Sequence, residues 1–376
     1  MHNETGGGRV TDGDERRNAH EKLSTGGGTP AERNYPQIGD VHPQGPSAET
    51  RGVSRETSAP PAYQVKTAAD LATSFVGLAD TETPLARAAE NSVLARIGSQ
   101  SRPSVPRPDA TRIFVVANQK GGVGKTTSSV NVAAALAQLG QRVLVIDLDP
   151  QGNASTALSI DHFQGTPGTY ELLVDGSPLQ DVVVPSPEIP GLDVVPATID
   201  LAGAEIELVS VVAREGRLQK ALRAHPRVGD ASGAGEERWD YVIIDCPPSL
   251  GLLTINALVA GAELLIPIQA EYYALEGLGQ LLKTVDMVRA HLNPALAVST
   301  ILVTMYDART RLASGVAQEV REHFGDQVLR VSIPRSVRVS EAPSYGQTVM
   351  TYDPASPGAL SYLEAAREIA TKGGPQ

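Results

Sequence analysis

A short apolar run, RIFVVAN (112–118), passes directly into QKGGVGKTTSSVN (119–131) and then into an alanine-rich stretch closed by Gly140. Few folds accommodate that order. Glycines at 121, 122 and 124 let successive backbone N–H groups turn inward toward an anion. A helix starting just after them aims the positive end of its dipole at the same point. Lys125 adds a mobile charge for β- and γ-phosphates, and the Thr126 hydroxyl is placed to ligate Mg²⁺. Strand, glycine-rich loop and helix therefore predict a phosphate loop in an α/β layer structure. The standard pattern GxxxxGK[ST] asks for glycine where Gln119 stands, and a second lysine, Lys120, precedes Lys125 by five residues. One lysine is enough to hold a phosphate, so the other needs its own explanation.

The rest of the chain keeps the same rhythm. RVLVIDL (142–148), LDVVPA (192–197), YVIID (241–245), AELLIPI (262–268) and VSTILV (298–303) alternate with helical stretches. Near-continuous apolar strands separated by helices predict a mostly parallel sheet with helices on both faces, over 111–376. Two of these strands end in carboxylates. The 142–148 run leads into Asp147 and Asp149, and YVIID delivers Asp245, at the carboxyl edge where ligands of such sheets gather. Asp245 occupies the position that holds Mg²⁺ through water in nucleotide sites.

Residues 1–110 have another character. Positions 1–60 are crowded with Gly, Pro, Ser and Thr and have little to bury, which predicts a disordered tail. Leu85, Ala89, Val93 and Ile97 fall at helical spacing within ETPLARAAENSVLARIG, predicting a short helix at 83–97. It is either a transient helix or a docking element for a partner. A proline-rich linker follows over 99–110, and RVGDASGAGEER (227–238) reads as a flexible surface loop.

Composition removes several classes. The net charge of −11 excludes a generally basic nucleic-acid coat. A single cysteine, Cys246, leaves no internal disulfide and fits a reducing cytoplasm. No apolar run approaches the roughly 20 residues of a membrane span, and the N-terminus shows no signal pattern. The seven histidines stand at no metal-ligand spacing. Charge is uneven, however: residues 141–280 hold 7 Lys/Arg against 20 Asp/Glu, whereas 281–340 hold 8 against 5. Arg309, Arg311, Arg335 and Arg338 lie in that basic window. From the residues alone, such arginines serve a solvated face or pair with nearby Asp307 and Glu341.

KGGVGKTT, DLDPQGN, DCPP, QAEYYALEGL, DAR and IPRSVRVSEAPSYGQ together resemble the deviant Walker-A ATPases of the ParA/Soj partition type. These belong to the MinD/ParA superfamily of P-loop NTPases, and the likeness covers roughly 111–370. The resemblance implies ATP and Mg²⁺ as cofactors, held by Lys120, Gly121, Gly122, Val123, Gly124, Lys125, Thr126 and Thr127. It implies that Lys120 reaches across a dimer interface to the nucleotide of the other subunit, which accounts for the second lysine. Asp149 is implied to orient the attacking water, with Asp147 nearer the metal shell beside Thr126 and Asp245. Pro334 and Ser336 are candidates for the base pocket, although the family commonly has Asn where Ser336 stands. Arg309 and Arg338 match arginines implicated in sequence-independent DNA binding by the ATP dimer. Expected partners are a second copy, non-specific DNA and a ParB-type centromere-binding protein that stimulates hydrolysis. The expected setting is the nucleoid, in chromosome or plasmid segregation.

The nearest alternative on this fold is a MinD-like membrane-associated positioning ATPase, which needs a basic amphipathic C-terminal helix. The ending SYLEAAREIATKGGPQ carries fewer basic than acidic residues in its helical part. An iron–sulfur electron carrier of related fold needs more cysteines than one. A non-enzymatic scaffold with structural ATP is separated by whether turnover rises with partner and DNA.

Overall fold

The computed structural model describes residues 105–374 apart from 231, 233, 234 and 272–275. The expected tail as far as residue 104, its helix at 83–97 and the adjacent Tyr272 and Tyr273 lie outside the described residues, whereas 105–110, expected to belong to the tail, are described and bonded to the body. In chain order the first half contains β1 (Arg112–Val116), α1 (Lys125–Gln138), β2 (Val143–Asp147) and α2 (Asn153–Ala157). β3 (Val184–Pro185), β4 (Leu192–Val195), α3 (Leu201–Glu207) and α4 (Arg217–Ala224) follow. The second half runs β5 (Tyr241–Asp245), α5 (Leu252–Ala260), β6 (Glu263–Gln269), α6 (Glu276–His291) and β7 (Ala297–Thr304). It closes with α7 (Arg311–Phe324), α8 (Val337–Glu341), α9 (Val349–Tyr352) and α10 (Pro357–Thr371).

The strands form one sheet in the order β3-β4-β2-β5-β1-β6-β7. All pairings are parallel except β3 with β4. All six strands read from the sequence are present. β3 was not foreseen: it is a two-residue edge pairing, the one place where Pro185 costs the sheet no ladder bond.

Alternation along each strand divides the core in two. Val115 of β1 with Val242 and Ile244 of β5 face the layer of α3 to α7. Phe114, Val116, Tyr241 and Ile243 face α1 and α10. α1 can lie close to the sheet because Ala133, Ala134 and Ala135, all fully buried, keep its inner side thin. α10 starts on a Ser356 hydroxyl that accepts the Ala359 N–H at 3.3 Å, with Pro357 at its first turn.

At the amino edge of the sheet, Arg112 forms a buried fork with Glu263, both bonds at 2.7 Å, and donates to the Ile369 carbonyl at 2.7 Å. The described ends of the 227–238 stretch are held rather than loose. The Gly229 carbonyl accepts the Thr111 N–H at 2.8 Å, and Arg227 stacks over Trp239 while bonding Asp193 at 2.8 Å. Residues 105–110 lie along this same edge: Arg107 donates to Asp240 at 2.8 Å and Arg238 to the Asp109 carbonyl at 2.5 Å.

Candidate nucleotide-binding site

Between β1 and α1 the backbone turns through Gly122 (φ 74°) and Gly124 (φ 88°), left-handed values that side chains resist. A Cβ built on Gly121 or Gly122 would meet no atom within 4 Å, so the space beside these two glycines is open. Its walls are braced. Asn118 donates to the Pro267 carbonyl at 2.8 Å and accepts the Lys120 N–H at 3.0 Å. The Thr304 hydroxyl, at the end of β7, donates to the Val123 carbonyl at 2.8 Å.

The two lysines take different courses. Lys125 is 7% exposed, and its ammonium donates to the Lys120 carbonyl at 3.4 Å. Burial lowers its pKa, an effect opposed by the charge of Asp245. Lys120 is more open, at 35% side-chain exposure, and its ammonium stands 3.3 Å from a Glu271 oxygen.

Three carboxylates face the same carboxyl edge. β2 and β5 pair in register so that Asp147 stands beside Asp245. Both are fully buried, which pushes the Asp245 carboxyl up to about 7 and the Asp147 carboxyl up to about 6. Their hydrogen bonding differs. Asp147 is committed to the following loop: one oxygen accepts the Asp149 N–H at 3.1 Å, the other the Ser155 N–H at 2.9 Å and its hydroxyl at 2.8 Å. Asp245 accepts the Ser129 hydroxyl at 2.7 Å on one oxygen; its other oxygen is buried without a well-formed hydrogen bond, and the nearby Thr126 hydroxyl acts with Ser129 to favour the ionised carboxylate. Asp149 itself accepts the Gln151 N–H at 3.0 Å. A buried carboxylate oxygen without a well-formed hydrogen bond, a desolvated ammonium and open space beside the loop glycines fit a phosphate group carrying a hydrated divalent cation.

The structure thus brings Lys125, Asp147, Asp149 and Asp245 together at one edge of the sheet. Pro334 bridges to Tyr306 just beyond β7, and the Ser336 carbonyl accepts the Ser340 N–H at 3.4 Å where α8 begins. The arginines are exposed and paired. Arg309, 90% exposed, forms a two-pronged contact with Asp307 at 2.9 Å on each prong, holding that carboxyl down to about 2. Arg338 lies 3.4 Å from Glu341 and 3.5 Å from Asp353.

Sequence reasoning missed Asn118, Ser129, Ser155, Glu271 and Thr304. Ser129 carried a signal, since it lies one helical turn beyond Lys125 on the side facing the sheet. Asn118 carried a weaker one, as the lone polar end of an apolar strand.

A family model described as an AAA domain matches residues 111–298. The sporulation initiation inhibitor protein Soj of Bacillus subtilis is 52% identical over 262 residues, covering 70% of this chain and 99% of that protein. The chromosome partitioning protein ParA of Caulobacter vibrioides is 48% identical over 261 residues, covering 69% and 94%. Among solved structures, cobyrinic acid a,c-diamide synthase from Mycobacterium smegmatis with bound ADP and magnesium is 38% identical. It matches with a TM-score of 0.56 over 68% of this chain and 92% of that one. The septum site-determining protein MinD from Pyrococcus horikoshii, complexed with Mg-ADP, matches at 24% identity with a TM-score of 0.53, covering 69% and 96%, a likeness of fold. Phosphate loop, strand-end carboxylates and relatives about half identical over nearly their whole length agree, and the chain belongs to the Soj/ParA family of chromosome-partitioning ATPases.

Proposed function

We propose that this chain hydrolyses ATP as a homodimer that binds DNA without sequence preference and is released from it by hydrolysis. ATP sits on residues 120–127, with Lys125 countering the β- and γ-phosphates and the backbone N–H groups of Gly121 to Gly124 turned to the same anion. Mg²⁺ supplies charge neutralisation there, with Thr126 and the second oxygen of Asp245 as its holders and Asp147 farther out, ordering the loop that carries Asp149. Asp149 orients the attacking water. Pro334 and Ser336 border the base.

The observation that carries the reading is the divergence of the two lysines. Lys125 is buried in its own loop, whereas the Lys120 ammonium is about one-third exposed and, among the described residues, is held by the Glu271 carboxylate at the surface. A triphosphate enclosed between two chains needs a cation from each, and a Lys120 that leaves Glu271 for the partner's nucleotide supplies it. Loss of the terminal phosphate then weakens the dimer, so that hydrolysis times its lifetime. Arg309 and Arg338, doubled in the dimer, give a basic patch on an otherwise acidic protein. A ParB-type partner accelerates turnover, and the protein works in the cytoplasm on the nucleoid.

The membrane-associated alternative is less well supported. α10 buries Tyr362, Leu363 and Ile369, and its charges are Glu364, Arg367 and Glu368. Among the described residues no helix is long and apolar enough to cross a membrane. The deciding experiment is sizing of the protein with ATP, with ADP, and with ATP after Lys120→Ala. A dimer is expected in the first condition alone, and a monomer in all three overturns the reading.

A further inference from the structure

The phosphate loop is fastened at two points to two different strands. Its second half hangs on β7 through the bond from Thr304 to the Val123 carbonyl. Its first half hangs on β6 through Asn118, which spans the 2.8 Å bond to the Pro267 carbonyl and the 3.0 Å bond from the Lys120 N–H. Asn118 is 4% exposed, so its amide has no solvent to turn to. Its orientation follows from its neighbours. The NH₂ group must meet the carbonyl and the oxygen must meet the N–H, since the flipped amide would set donor against donor and acceptor against acceptor. The Lys120 side chain then runs to Glu271, two residues past the end of β6. Both the backbone and the ammonium of Lys120 are therefore referred to β6, while Lys125 rises with α1 from the half of the loop that β7 braces.

We propose that Asn118 is the positioning residue for Lys120. By fixing the peptide at which that lysine leaves the loop, it sets whether the ammonium can reach a second copy's nucleotide, and it leaves the chain's own grip on phosphate to the other half. The proposal rests on the reading of Lys120 as the intersubunit lysine. A brace of purely structural kind would loosen the loop as a whole and weaken both functions together.

The test is a double-substitution cycle in the full chain. Dimerisation with Mg²⁺ and a non-hydrolysable ATP analogue is followed by sedimentation, and ADP affinity by calorimetry. Asn118→Ala is expected to weaken the dimer by about tenfold or more in the native background, since small misplacements of a positioned charge are costly. Once Lys120→Ala is present, at protein concentrations raised until its weakened dimer is populated, it adds less than about twofold, and ADP affinity falls by less than about threefold in either background. Equal weakening of the dimer with and without Lys120 overturns the proposal, as does an ADP affinity that falls in step with dimerisation. Should Asn118→Ala not fold, Asn118→Ser keeps a small neutral group that can donate or accept without adding charge beside the loop, and is judged by the same criterion. Lys120→Ala that dimerises like the native chain removes the intersubunit reading itself and the proposal with it. That outcome shows in the single variant, apart from any effect of Asn118.

Discussion

The Lys120 ammonium lies 3.3 Å from the Glu271 carboxylate, which also faces Arg335 at 3.9 Å and accepts from Gln269 at 2.5 Å. In a single chain this acid is a competitor for the charge that the dimer needs. Half-exposed pairs of this kind are worth up to about 1 kcal/mol. Glu271→Gln is therefore expected to lower the protein concentration for half-dimerisation with ATP by about two- to fivefold. Sedimentation at fixed ATP checks it, and an unchanged midpoint would show that Glu271 does not restrain the lysine.

Ser129 satisfies one oxygen of Asp245 and leaves the other buried without a well-formed hydrogen bond. Ser129→Ala leaves the first oxygen without its donor, at a cost of about 1–3 kcal/mol. The expected result is a lower melting temperature and a higher Mg²⁺ concentration for half-maximal ATP turnover, both recovered by Ser129→Thr. A variant with native Mg²⁺ dependence would sever Ser129 from the metal site.

The raised carboxyls make stability depend on pH in a defined direction. In the folded chain, burial, together with their mutual repulsion, pushes the paired Asp147 and Asp245 carboxyls up to about 6 and about 7. Unfolded, an aspartate titrates at about 3.9. Between those values the native state holds more protons than the unfolded one, so this contribution to stability falls as pH rises, levelling off above about 7. Nucleotide-free protein is expected to lose melting temperature from about pH 5 to about pH 8, and Asp245→Asn to lose less over the same range. Calorimetry at the two pH values measures the difference. An Asp245→Asn slope as steep as the native one would contradict it.

Each arginine in the proposed DNA patch already has an acidic partner, and DNA must displace it. Arg338→Ala is expected to weaken ATP-dependent DNA binding at physiological salt. Its salt slope should fall by about 2 per dimer, one lost phosphate contact per chain. Asp307→Asn, which frees Arg309 from its fork, is expected to tighten binding. Filter binding across a salt series tests both, and DNA affinity indifferent to Arg338 removes the patch.

Much of this architecture could be read from the chain because buried parallel strands announce themselves. All five residues of β5 are buried, and its sequence is an unbroken apolar run up to Asp245. The glycine loop was equally visible, since phosphate binding demands those residue types in that order. What stayed hidden depends on segments far apart in sequence. Thr304 is 181 residues from Val123, and Lys120 is 151 from Glu271. Nothing local to either end of such a pair records the other. Asp147 carries a role that its place at a strand end does not announce, since its two oxygens hold Ser155 and the Asp149 N–H. The arginines were legible in part, because Asp307 lies two residues from Arg309 and Glu341 three from Arg338.

The bonds that hold residues 105–110 put the entry of the chain at the amino end of β1, while the phosphate loop leaves from its carboxyl end. A fluorophore carried at Val105 itself therefore marks the amino edge of the sheet, and a second one on the loop at the carboxyl edge gives a pair that reports along the length of β1.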